Sequence, residues 1–156
     1  MSKGHFDLLD GIGAEDAERI LALGSRVALS SGEELFPLGA DADCLFLISH
    51  GQISLTLPMK VRDQETDVLV EERTAGQTVG WSGLIPPHRF TLRATAPVET
   101  EVVALSRESL EKYFAAHPEA GYKISLNLAA VIGQRLQLFQ AMWLREVARM
   151  MEHRAA

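Results

Sequence analysis

Between Val27 and Leu105 apolar residues come in short runs, each cut off by Gly, Pro, Asp or Ser: "VALSSGEELFPLGADADCLFLISHGQISLTLPM", then "DVLVEERTAGQTVGW" and "FTLRATAPVETEVVALS". Several runs alternate, with Ile53, Leu55 and Leu57 interleaved by Gln52, Ser54 and Thr56. Successive side chains of a strand point to opposite faces, so this alternation describes strands with one dry face and one wet face. Many such strands joined by turns, with no helix between them, pack as antiparallel sheets around one core. The expected fold class is α+β: an antiparallel β-sandwich or jelly roll (a double-stranded β-helix) over 27–105, with helices on either side.

The flanks read differently. Residues 14–24 set Ile20, Leu21 and Leu23 against Glu15, Asp16, Glu18 and Arg19, with acids in the first turn, as in a short N-terminal helix. After the last strand, 107–152 is helical: Ser106 can cap "RESLEKYFAAH", and Pro118 ends it by restricting His117. A second, longer helix over 119–152 carries Leu128, Ile132, Leu136, Phe139, Trp143, Val147 and Met150 at spacings of three and four. A helix of about 30 residues extends about 45 Å, longer than a β region of this size covers. Part of the stripe is therefore expected to meet another chain, making 119–152 the seam of a homodimer.

The chain has 156 residues, 47% of them hydrophobic, enough for one core; a single domain over 1–156 is expected. A net charge of −6 leaves no basic surplus for a phosphate backbone, so direct nucleic-acid binding is not expected. Cys44 is the sole cysteine and lies in the apolar run "CLFLI", which excludes an internal disulfide and suits a reducing cytoplasm. No apolar run has the length of a membrane span, and "MSKGHFDLLDG" lacks a signal-peptide core, so no membrane association is expected. No His-x-His pair or Gly-x-Ser-x-Gly elbow occurs, so no catalytic residue and no metal ligand is assigned, and the chain is not expected to be an enzyme.

The run "ELFPLGADADCLFLISHGQISL" resembles the early strands of the cyclic-nucleotide-binding domain of the Crp/Fnr superfamily, in Phe36, Gly39, Phe46, Ile48, Gly51 and Ile53. "TAGQTVG" is similar to the lead-in to that family's phosphate-binding cassette, and "LRATAPVETEVVALSRESLEKYFAAHPE" to its exit. Within the superfamily, "GWS" followed by Pro86-Pro87 and an Arg resembles a divergent group of stand-alone proteins without a helix-turn-helix domain.

The resemblance implies a cassette at 79–91. There, helix N-terminal amides and an Arg hold a cyclic phosphate, and a Glu holds the ribose. The matching positions are Gly80, Trp81, Ser82, Gly83, Leu84, His88, Arg89, Phe90 and Thr91, joined from the long helix by Phe139 and Gln140. Trp81 stands where the family has its Glu, and the family's Arg falls at His88-Arg89. An indole donates one hydrogen bond and accepts none, so it cannot replace a carboxylate. Gly83 and Leu84 amides, Ser82 and Arg89 are the expected anion contacts.

The implied function is a non-catalytic regulatory sensor of cAMP, cGMP or another small anionic ligand, with no cofactor assigned as certain. An alternative is a ligand-free dimeric adaptor acting through a protein partner. A haem sensor is a further alternative, with His88 as the ligand inside the cassette and His50 and His117 outside it.

Overall fold

The computed structural model describes residues 4–155. Eight strands form two four-stranded antiparallel sheets. One has the order β1 (Ser25–Leu29), β8 (Thr100–Ser106), β3 (Cys44–His50), β6 (Thr78–Val79). The other runs β2 (Glu34–Phe36), β7 (Arg93–Thr95), β4 (Gln52–Val61), β5 (Gln64–Thr74). The antiparallel β-sandwich expected over 27–105 is therefore present, with its edges at Ser25 and Ser106.

Local chemistry sets the corners. The β4–β5 hairpin turns on Arg62 and Asp63, both left-handed, which matches the twist that two-residue hairpins require. Gly51 turns β3 into β4 at φ 90°, and a Cβ there would lie 2.4 Å from Thr100 Oγ1 and 2.5 Å from the Glu99 carbonyl. Only glycine fits both demands.

The alternating residues fill the space between the sheets: Ile48, Ile53, Leu55, Val79, Leu92, Ala94 and Val102 are buried, with Phe36 and Phe90 stacked face to face at 3.7 Å. The outer face of the β1-β8-β3-β6 sheet is also dry. Leu45, Leu47 and Leu105 pack there against Leu8 and Leu9 of an N-terminal 3-10 turn, Ile20 of α1 (Ala14–Ala22), Leu110 of α2 (Arg107–Ala116), and Ile124 and Leu128 of α3 (Pro118–Ala155). Strand β3 is thus buried on both faces, which explains its unbroken "CLFLI".

Ser106 caps α2 as its sequence position implies, its hydroxyl accepting from the Ser109 N–H at 3.1 Å. Pro118 sits at the first position of α3, where its missing N–H costs nothing. The apolar stripe of α3 divides. Leu128 is buried, Ile132 and Val147 are half-buried, and Leu136, Trp143 and Met150 are exposed, with Phe139 more than a third exposed. The residues that face the body are Ala120, Gly121, Ile124, Leu128, Val131 and Arg135. Beyond Arg135 the helix continues for twenty residues, none of them buried.

Candidate functional site

The cassette starts at Gly80, left-handed at φ 75°, wedged so that a Cβ would come within 3.2 to 3.3 Å of the Phe46, Phe90 and Phe36 rings. Trp81–Gly83 then form a single 3-10 turn. The Gly83 N–H bonds the Gly80 carbonyl and the Leu84 N–H bonds the Trp81 carbonyl, both at 3.0 Å. Those two amides were the expected anion donors, and the turn itself consumes them, since a 3-10 turn closes onto its own carbonyls. Gly83 lies against the Cys44 backbone, where a Cβ would approach to 2.4 Å. Arg107 locks the turn from the other side, donating to the carbonyls of Gly83 at 2.9 Å and Ala42 at 2.7 Å.

Downstream, the Pro86–Pro87 bond is cis and His88 is left-handed, its Nδ1 3.1 Å from the Ser82 carbonyl. Arg89 reaches outward: it is well exposed, 3.9 Å from Asp41 and 3.4 Å from the Gly39 carbonyl. Ser82 is buried. The space enclosed by Phe36, Leu55, Gly80, Trp81, Ser82, Phe90, Thr91, Leu92 and Arg135 amounts to about 10 Å³, room for a single water. The stacked Phe36 and Phe90 rings form part of its wall.

A larger chamber opens beside it. About 300 Å³ lies between Leu57 of β4, Trp81 and Thr91 of the cassette, Leu92 just after it, and Ile132, Arg135, Leu136 and Phe139 of α3. Trp81 forms a wall of this chamber and packs against the helical layer. Of the sequence-selected residues, the structure brings Trp81, Thr91 and Phe139 together here; Gly80, Ser82 and Phe90 line the small void behind it. Gly83, Leu84, His88 and Arg89 line neither, and Gln140 is exposed on α3.

Arg135 is the residue that sequence reasoning missed. Its Nε donates to Glu71 Oε2 at 2.9 Å, and the other Glu71 oxygen accepts from Arg73 at 3.1 Å. Arg73, 4% exposed, also donates to Asp7 at 3.2 Å and to the Thr78 carbonyl. Asp7 in turn accepts from the Thr78 hydroxyl at 2.6 Å. A chain of charges therefore runs from α3 through β5 to the N-terminal turn. Glu71 is placed by a bulge: it pairs with Leu55 while Leu69 pairs with Thr56, leaving Val70 as the extra residue. Burial pushes the Arg135 guanidinium below its ordinary range; Glu71 offsets this in part and Arg73 adds to it. The available sequence signal was spacing: Arg135 continues the line Ile124, Leu128, Val131 on the body-facing side of α3.

His117 stacks on Tyr113 at 4.2 Å and His50 is exposed. Among the described residues no three His, Cys, Asp or Glu side chains converge as a metal site, and no helix is long and apolar enough to cross a membrane.

A two-sheet β roll with the 79–91 cassette and a long C-terminal helix is a fold that solved structures share. The catabolite activator protein of Thermus thermophilus superposes with a TM-score of 0.73 at 23% identity, over 91% of this chain and 63% of that one. The global regulator CLP of Xanthomonas campestris, described as c-di-GMP responsive, gives 0.75 at 21% identity, over 85% and 64%. A cyclic nucleotide-binding-like protein of Brucella abortus is 28% identical, with a TM-score of 0.56 over 67% of this chain and 87% of that one. The cyclic nucleotide-binding domain model matches residues 26–117, more than half of the chain, and the chain belongs to that family. Among curated proteins, Glutaminase 1 of Bradyrhizobium diazoefficiens is 29% identical over 133 residues and Glutaminase 2 is 27% identical over 134. The chain spans 20% of the length of each.

Proposed function

We propose that this is a non-catalytic regulatory domain in which a small ligand enters the chamber beneath α3 and shifts that helix, whose exposed half reports to a second copy or to a protein partner. The carrying observation is that one helix supplies both things: Ile132, Arg135 and Leu136 wall the chamber, and Trp143, Leu144 and Met151 continue as an exposed apolar surface. A ligand that favours one helix position over another shifts the equilibrium by its difference in affinity. The match to a fifth of two proteins named glutaminases supports a domain of this kind acting on an enzyme to which it is joined or bound.

The geometry argues against the cassette as an anchor for cAMP or cGMP. Its amides are consumed, its void holds one water, and its arginine points away. Calorimetric titration is expected to give no heat with either nucleotide up to millimolar; binding that disappears in Arg89→Ala would return the phosphate to the cassette. The adaptor reading keeps one observation in its favour, the stacked Phe36 and Phe90 rings beside a void of only about 10 Å³. Light scattering at tens of micromolar is expected to return a dimer for the wild type and a monomer for Trp143→Glu, a site outside the chamber. A monomeric wild type would remove the helix seam from both readings.

A further inference from the structure

We propose that the chamber beneath α3 takes a monocarboxylate with an apolar body, its carboxylate held by the Nη groups of Arg135; this rests on the sensing role proposed above. The lining is mostly apolar: Leu57 from β4, Trp81 from the cassette, Leu92 just after it, and Ile132, Leu136 and Phe139 from α3. At about 300 Å³ the space lies at the small end of ligand sites, which are mostly apolar with a few placed polar groups. Thr91 and Arg135 are the two lining residues whose side chains end in polar groups.

Arg135 has the right state for an anchor. Glu71 grips its Nε and so fixes the plane of the fork. Among the described residues its two Nη groups donate no hydrogen bond to the protein, while Glu71 is shared with Arg73 and neutralises Arg135 only in part. The fork geometry of a guanidinium matches the two oxygens of a carboxylate. A cyclic nucleotide would set its ribose and base edges against Leu57, Leu92, Ile132 and Leu136, leaving most of their hydrogen bonds unmet. The apolar stripe of a second copy's α3 would leave the guanidinium facing hydrocarbon, which fits a small ligand with a charged head better than a helix.

The chain has two tryptophans, so Trp143→Phe leaves Trp81, a chamber wall, as the sole reporter. Octanoate, octanol, octylamine and cAMP are titrated against its fluorescence. Octanoate is expected to bind saturably and about tenfold more tightly than octanol, the usual margin for a charged hydrogen bond, with octylamine weaker than either. Arg135→Met is expected to bring octanoate down to the level of octanol and leave octanol unchanged. Leu57→Phe, which fills part of the chamber, should weaken both. If circular dichroism finds Arg135→Met unfolded, Arg135→Lys takes its place, with a partial loss for octanoate alone expected.

Octanoate and octanol binding equally, or octanoate indifferent to Arg135, overturns the carboxylate class but leaves a chamber that binds and hence the sensing role. Saturable cAMP binding with no response to octanoate does the same. Silence from all four probes overturns the inference, and the seam test with Trp143→Glu then decides separately whether the helix still reports to a partner.

Discussion

The charge chain behind the chamber makes an asymmetric prediction about stability. Glu71 is the shared acceptor of two guanidiniums that are almost wholly out of solvent, Arg73 at 4% and Arg135 at 10% side-chain exposure. In Glu71→Gln the carboxamide oxygen can accept from one arginine while its NH₂ faces the other, so a buried cation is left without a counter-charge. Removing one partner of a buried pair costs about 3–5 kcal/mol. Arg73 keeps Asp7 and the Thr78 carbonyl, which places this case at the lower end, about 3 kcal/mol. Arg135→Met behaves differently. Glu71 still has Arg73 at 3.1 Å, no charge is stranded, and the methionine keeps the aliphatic part of the contact with α3's surroundings. Its cost should stay within about 1 kcal/mol, because an apolar replacement of similar size also removes the desolvation penalty. With a urea slope of about 2 kcal/mol per molar, Glu71→Gln lowers the midpoint by about 1.5 M and Arg135→Met by less than about 0.5 M. Tryptophan fluorescence in urea reads both. Equal shifts for the two variants would refute the shared-acceptor arrangement, and a Glu71→Gln shift within error of zero would mean that the pairs are not buried in solution.

Two further substitutions test the packing of the cassette and the thiol beneath it. Gly83→Ala should cost about 1–3 kcal/mol in thermal unfolding, since its Cβ meets Cys44 and Leu45 backbone at 2.4 to 2.7 Å, whereas Gly133→Ala, with nothing within 4 Å on α3, should stabilise by about 0.5–1 kcal/mol. Cys44 should alkylate with iodoacetamide more slowly than a free cysteine at neutral pH and speed up only above the ordinary thiol range, because burial and then Asp43 raise its pKa against a smaller opposing effect of Arg107; a rate equal to that of free cysteine would contradict it.

The strands, the Ser106 cap and the helix boundary at Pro118 were legible because each depends on local chemistry: a period of two, one hydroxyl, one missing N–H. The extent of α3 came from spacing, which also exposed the surplus of apolar face beyond the roll. The cassette was only half legible. Its position follows from Gly80 and the strands around it, but whether an amide faces a ligand or its own turn is decided by two hydrogen bonds that no residue type announces. Arg135 was hidden for a different reason. Its partner Glu71, and Arg73 and Asp7 behind it, lie far from it in sequence, and a guanidinium on the inner side of a helix becomes meaningful only once β5 is placed opposite it.

The abrupt division of α3 at Arg135 has a mechanical consequence. The buried part ends at Arg135, and the twenty residues that follow, the first four of them still alongside the chamber, form a rod of about 30 Å. Under the sensing role proposed above, such a rod would act as a lever: a tilt of about 10° at Arg135 sweeps its far end through about 5 Å. On that reading a small change in the shape of the chamber re-aims a distant surface, because the chamber wall and the long arm belong to one uninterrupted helix.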